Sequence, residues 1–442
     1  MKRIITLLSC LKPMMKKKHH NQLQIVVHTL LVMVGRKTTL GLSRWSEKGG
    51  SVRTLTRFFE SSLDWGTINW QIIKSHLSKK GKVYILGGDE VIVSKSGKKT
   101  YGVDRFYSSI QNQVIRSLAF LNISLIDVEN RKAYPISMQQ IVKESKDGCI
   151  KDKTKKQKNK KKRGVGRPKG SGNKNKEDIE LTPYLKFVKS SIDRALELIN
   201  KELDIVYFVF DGAFGNNNAV QMVKRSKLEI ISKLQRNSAL YFPFTGEQKS
   251  KGAKRQYGDK IDYENIDDTY LKETDTEEEN ITTKIYQIEM IHKKFANRLN
   301  VVIIQKYNTK TKRISNVNLF STDLDLSYEK IIDYYSLRFQ IEFVFRDAKQ
   351  EWGLEDFMNR KKKAVHNWAN LSVFMVNIAH GLRKNEELKE ISILDLKTRY
   401  HGMKYLDELF KLLPKLDSDY LKREIEIKVA NIGAIHPVSL AA

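Results

Sequence analysis

Two apolar runs that lie far apart in the chain stop in the same way, at an aspartate next to glycine: Lys82-Val-Tyr-Ile-Leu-Gly-Gly-Asp89 and Asp204-Ile-Val-Tyr-Phe-Val-Phe-Asp211. Neither alternates polar with apolar residues, so neither suits a strand with one wet face. Runs of this length fit central strands of a sheet covered on both sides, and the helical patterns between them make an α/β layered sheet the expected class. Ligands gather at strand ends in such sheets, which makes Asp89 and Asp211 candidates. Each alone, as a strand-ending Asp, is more often a turn former than a ligand. Their recurrence on two buried strands is the informative part.

A third acid lies in Tyr335-Ser-Leu-Arg-Phe-Gln-Ile-Glu-Phe-Val-Phe-Arg-Asp-Ala-Lys349. At about 100° per helical residue, with Tyr335 at zero, Arg338 falls near −60°, Glu342 near −20° and Lys349 near −40°. One carboxylate is thus flanked by a phenol and two cations, on a helix whose remaining residues are largely apolar and suited to packing inside a domain. A plain Arg338–Glu342 pair at i, i+4 explains the same spacing. Together, Asp89, Asp211 and Glu342 make an oxygen-only set suited to two Mg²⁺ or Mn²⁺ ions and to in-line phosphoryl displacement.

With these residues in view, the chain resembles the bacterial insertion-sequence DDE transposases that carry a Y-R-E-K signature and a long insertion between the second Asp and the Glu. Tyr335-x2-Arg338-x3-Glu342-x6-Lys349 matches the signature, Gly88-Asp89-Glu90 through Lys99 is similar to the first-aspartate region, and Asp211-Gly-Ala-Phe-Gly-Asn216 to the second. The resemblance covers roughly residues 40–380. It implies a ribonuclease-H-like mixed-sheet core, with Asp89, Asp211 and Glu342 as metal ligands and Tyr335, Arg338 and Lys349 on transposon-end phosphates.

Two departures stand out. Gly88-Asp89-Glu90 replaces the usual Asp-Asp-Thr. Because neighbouring strand residues point to opposite faces, only one acid is expected in the site; Asp89 is chosen, with Glu90 as second candidate. Some relatives hold a flipped base on a tryptophan of the insertion, whereas the tryptophans here are Trp45, Trp65, Trp70, Trp352 and Trp368, all outside it. Tyr241, Phe242 and Phe244 are the available aromatic faces, although each reads more readily as an ordinary strand or core aromatic.

Net charge is +29 over 442 residues, with a calculated pI near 9.7, which favours a polyanionic partner. Thirteen Lys or Arg lie between Lys151 and Lys176 against Asp152 alone. This run cannot form a core and reads as a basic flexible loop over 151–178. Its Gly166-Arg167-Pro168-Lys169 makes Arg167 and Lys169 candidate phosphate contacts. Cys10 and Cys149 offer neither a disulfide framework nor a zinc site. The N-terminal pattern reads as no signal peptide, and no stretch reads as a membrane span. The expected location is the bacterial cytoplasm, at the nucleoid.

Residues 1–80 read as an N-terminal helical domain. Helix 38–46, a glycine turn and helix 51–59 capped by Ser51 fit either a DNA-reading helix-turn-helix with Arg53 and Arg57 in the groove, or a supporting helical subdomain. The catalytic core is expected over 81–235 and 326–385, with strands at 82–93, 101–104, 117–128, 133–142 and 228–234. A β-rich insertion domain is expected over 236–325 and a helical tail over 386–442. The combined expectation is a transposase acting on double-stranded DNA, cutting at terminal inverted repeats and joining the 3′-hydroxyl to target DNA, as a homodimer in the synaptic complex. A ribonuclease-H-like nuclease without strand transfer and a noncatalytic DNA-binding repressor are the alternatives.

Overall fold

The computed structural model describes residues 2–46, 49–109, 111–143, 175–276, 280–384, 391–412 and 419–430. Arg167, Lys169 and most of the basic run therefore lie outside the described residues.

The long apolar run after Lys82 forms β1 (Tyr84–Ser94), whose first five residues are fully buried. It is followed by β2 (Asp104–Ser108), β3 (Gln113–Asp127) and β4 (Lys132–Ile141). β3 pairs antiparallel with β1, β2 and β4, and the β3–β4 hairpin turns through Arg131 at φ +50°. The expected strand at 101–104 is instead a turn, with Val103 N–H donating to the Thr100 carbonyl and Gly102 at φ +71°; the strand starts only at Asp104. The second aspartate strand, β5, is the short Tyr207–Val209, although the apolar run is longer. It is parallel to β1 on one side and to β6 (Glu229–Leu234) on the other. Three antiparallel strands followed by two parallel ones, in the order β4-β3-β1-β5-β6, make a ribonuclease-H-like core.

The segment between the second Asp and the Glu contributes β7 (Leu240–Pro243), β8 (Tyr257–Lys260), β9 (Leu271–Asp275), β10 (Ile281–His292), β11 (Arg298–Asn308) and β12 (Arg313–Ser321). These strands do not form a separate sheet: β12 pairs antiparallel with β6, so one sheet runs β2-β3-β1-β5-β6-β12-β11-β10-β7-β8.

Helices α1 (Lys2–Leu8), α2 (Lys17–Val32), α3 (Thr39–Trp45), α4 (Val52–Phe59) and α5 (Trp65–Ile72) precede the sheet. As the sequence leads one to expect, Ser51 caps α4, its hydroxyl accepting from Thr54 N–H. Helix α6 (Pro183–Ile199) follows the basic run, α7 (Asn217–Lys224) links β5 to β6, and α8 (Tyr328–Leu337), α9 (Phe339–Gln350) and α10 (Lys362–Arg383) follow β12; α11 (Ile393–Leu412) and α12 (Asp419–Ala430) end the described chain.

Helix α10 is buried on nearly every side, and its polar exceptions act as clamps. Asn367 accepts from the Trp65 indole N–H at 2.8 Å and donates to the Phe59 and Ser61 carbonyls at 2.7 and 2.8 Å. Asn370 exchanges two hydrogen bonds with the backbone of Met138 in β4. Asn377 donates to the Pro135 carbonyl and to Asn69. Each of these amides supplies hydrogen bonds to polar groups enclosed in the core. The N-terminal helices and the sheet thus share one core built around α10. No described helix is long and apolar enough to cross a membrane.

Candidate active site

Strand register places the first two acids. Gly87 sits beside Val209 in the parallel β1–β5 pair, so Asp89 and Asp211, each two residues further on, leave neighbouring strands at the same level. Close approach explains the glycines before Asp89. A Cβ at Gly87 would come within 2.8 Å of the Ile341 side chain on α9, and one at Gly88 within 2.7 Å of Phe210. Gly215 is stricter, because a Cβ there would lie 2.1 Å from the Lys233 backbone carbonyl of β6. The turn after Asp211 is fixed further by its own carboxylate, which accepts from Ala213 N–H at 2.7 Å, and by Ser232, which donates to the Asp211 carbonyl.

Glu342 arrives on α9, but not on one uninterrupted helix with Tyr335. The helix tightens at Arg338: Arg338 N–H bonds the Tyr335 carbonyl and Ile341 N–H bonds the Arg338 carbonyl, both i to i−3. The stripe expected from a uniform 100° step is therefore broken between Tyr335 and Glu342. Arg338 stands at the junction and reaches across to the sheet. One guanidinium nitrogen lies 2.7 Å from Asp89 Oδ2 and the other 2.9 Å from Glu342 Oε1. The i, i+4 pair that the spacing allowed is present, and it is extended to a second acid on β1.

Asp89, Asp211, Glu342, Arg338 and Lys349 line one cavity of about 830 Å³. Asp89 has a side chain only 15 % exposed, and burial pushes its carboxyl up to about 6, against the opposing pull of Arg338 and of the Glu90 N–H. Asp211 and Glu342 add to the upward shift, as like charges do. Glu342 is more open, at 43 %. The set is oxygen-only, which fits hard divalent cations, and the acid whose ionisation burial disfavours is the one such a cation would help most. Among the described residues, no three His, Cys, Asp or Glu side chains stand close enough as placed to surround an ion, and the Arg338 guanidinium is what lies between Asp89 and Glu342.

Glu90 also lines this cavity, contrary to the expectation that only one of the two acids would reach it. The strand alternation itself holds. Asp89 shares the Gly87 face that packs on α9, whereas Glu90 shares the Gly88 face and accepts from the Tyr184 hydroxyl of α6. The cavity is wide enough at the strand end to take in both. Tyr184, which no sequence pattern singles out, is thereby a neighbour of the site.

The remaining signature residues are engaged within the protein. Lys349 donates to the Ile92 carbonyl of β1 at 3.0 Å and pairs with Glu355 at 3.2 Å. Tyr335, half-buried on α8, interacts with Arg338. Arg53 and Arg57 are exposed on α4. Tyr241 meets Tyr257 edge-on beneath Lys293, Phe242 lies at a tilt of 31° to Tyr270, and Phe244 lies under Arg255. None of these three aromatics lines the cavity.

Residues 6–293 match the family described as DDE superfamily endonuclease. That span includes Asp89 and Asp211 and stops short of Glu342. A stretch of 62 residues is 36 % identical to the transposase for insertion sequence element IS231E of Bacillus thuringiensis subsp. finitimus, covering 13 % of this chain and 13 % of that protein. With about two thirds of its length matched by one family and two acids at the same level of adjacent parallel strands, the chain belongs to the DDE superfamily endonucleases.

Proposed function

We propose that this endonuclease is an insertion-sequence transposase that cuts at the terminal inverted repeats of its own element and joins the freed 3′-hydroxyl to target DNA. The observation that carries this reading is the convergence of Asp89, Asp211 and Glu342 on one cavity walled by Arg338 and Lys349. Asp89, Asp211 and Glu342 would hold two Mg²⁺ or Mn²⁺ ions. Bound there, such ions supply Lewis acidity and a water of lowered pKa.

The chain's own residues do the rest. Arg338 orients Asp89 and Glu342 and favours the ionised form of Asp89, which burial disfavours. Lys349 ties α9 to β1 through the Ile92 carbonyl and keeps a positive wall on the cavity. Tyr335, next to Arg338, is the proposed contact to a transposon-end phosphate. Water displaces the 3′-oxygen at the element's end, and that 3′-hydroxyl then displaces the corresponding oxygen in target DNA. Both are direct displacements at phosphorus, so no Ser or Tyr nucleophile is used. Arg53 and Arg57 on α4 are the proposed contacts to the flanking duplex. Pairing two ends calls for two subunits, with the nucleoid as the site of action.

The test is divalent-metal-dependent cleavage of a labelled duplex carrying the element boundary, comparing the intact protein with Glu342→Gln. Nicking at the boundary and joining to a plasmid by the intact protein alone supports the transposase reading. Cleavage without joining would assign a nuclease, and binding without cleavage a DNA-binding repressor.

A further inference from the structure

Past Asp89, β1 continues to Ser94 and enters the turn Lys95-Ser-Gly-Lys-Lys99, which faces the segment 355–361. Between them lies a second hollow of about 540 Å³, whose charged lining is Arg36, Lys95, Lys98, Lys99 and Arg360 against Glu355. This hollow shares Ser94 and Glu355 with the catalytic cavity, so the two adjoin one another. A third hollow of about 460 Å³ carries the same surface on past Lys99 and Arg360 to Lys361. The result is a trench that leaves the catalytic cavity along β1 and gathers six cations from three separate stretches of chain, Lys361 among them paired with Glu60.

Its parts divide between scaffold and contact. Lys95 is structural: its ammonium donates to the Glu355 and Phe357 carbonyls at 2.8 and 2.9 Å and lies 3.7 Å over the Phe357 ring, pinning the turn to segment 355–361. Lys98, Lys99 and Arg360 are exposed, with no side-chain partner among the described residues. Met358 stands among them with 66 % of its surface exposed, an apolar side chain of the kind that meets sugars and bases. Ser94 is five residues beyond Asp89, or about 17 Å at a strand rise of about 3.3 Å. That distance equals about five nucleotide steps at about 3.4 Å per phosphate of one strand.

We infer that this trench holds the sugar-phosphate backbone of the duplex whose scissile phosphodiester enters the cavity, with Lys98, Lys99 and Arg360 on phosphates about five or more nucleotides from the cut. The inference rests on the DNA-processing function proposed above. It concerns residues distinct from the Tyr335, Arg338 and Lys349 set, and it gives the active site a second point of purchase on the same molecule.

The experiment is a salt titration of binding to a fluorescent 30-base-pair duplex of arbitrary sequence. The full-length protein is compared with a Lys98→Ala/Lys99→Ala/Arg360→Ala variant and with a control, Lys310→Ala/Lys312→Ala/Arg313→Ala, that removes equal charge from the exposed β11–β12 hairpin. Circular dichroism checks that each variant is folded. Each phosphate contact contributes about 0.9 to the slope of log K against log salt, so the trench variant should lose about 2 to 3 units of slope while the control keeps the wild-type value. An unchanged slope for the trench variant, or an equal loss in the control, overturns the inference and leaves the proposed function standing. Failure of the wild-type protein to bind the duplex at any salt overturns both.

Discussion

Arg338 and Asp89, 249 positions apart in the chain, meet at 2.7 Å, and this pair joins the helix of the third acid to the strand of the first. Yet Asp89 is still pushed up to about 6, so burial outweighs the cation. An acid whose folded pKa lies above its unfolded value holds its proton longer in the folded state. Its contribution favours folding below about pH 4 and is lost as pH rises through about 6. Asp89→Asn, which cannot ionise, should therefore match the wild type at pH 4. At pH 8 it should be more stable by up to about 2–3 kcal/mol, the worth of a two-unit shift. Arg338→Gln should do the reverse, raising the Asp89 pKa further and lowering stability at pH 8. Urea denaturation at both pH values decides, and equal midpoints for Asp89→Asn and wild type at pH 8 would contradict the burial argument.

Asp89 and Glu90 both reach the cavity, but only Asp89 faces α9 and Glu342. Asp89→Asn should reduce metal-dependent cleavage at least a thousandfold, whereas Glu90→Gln should stay within about tenfold of wild type, since a single lost polar contact is worth about 1–1.5 kcal/mol. A reversed order in single-turnover assays would transfer the ligand role to Glu90.

Divalent ions should stabilise the folded protein only if the acids bind them. At an Mg²⁺ or Mn²⁺ concentration about one hundred times Kd, the gain is about 2.7 kcal/mol, visible as a rise in melting temperature that chelator reverses. Glu342→Gln should lose most of that rise. An equal rise in the variant would place the ion elsewhere.

Gly215 has no room for a methyl group against the Lys233 carbonyl, which is backbone and cannot rotate away. Gly215→Ala should cost about 1–3 kcal/mol and shift the turn that carries Asp211, so cleavage falls more than stability alone explains. Gly87→Ala meets only the tips of Ile126 and Ile341 and should be the milder change. Chemical denaturation and cleavage rates on both variants test the ranking.

Asn367 satisfies one indole N–H and two carbonyls inside the core. Asn367→Leu keeps the volume and strands all three, which should cost about 2–4 kcal/mol. The loss should show as faster amide exchange in α4 and α5 before the sheet is affected.

Sequence reading succeeds where local pattern carries the information. Continuous apolar runs identify β1 and β5 because both strands are covered on each face, and their register then brings Asp89 and Asp211 level. The Arg338–Glu342 pair is legible from its i, i+4 spacing. The break at Arg338 is not, because what engages that side chain lies on β1, far away in sequence. The joining of β12 to β6 depends equally on long-range pairing, so a segment that reads as a separate insertion extends the core sheet. The approach of Tyr184 to Glu90 and the basic trench are invisible for the same reason: the trench takes Arg36, Lys95 to Lys99 and Arg360 from three stretches, none exceptional alone.

The 249-residue gap bridged by Arg338 also has a meaning in time. At about 5–20 residues per second, a ribosome needs about 12–50 s to travel from the first acid to the arginine that closes on it. During that interval the nascent chain gains its basic run and the strands of the sheet, but not its third acid. A chain cut short anywhere in that interval would bear the first acid without the cation that offsets its burial.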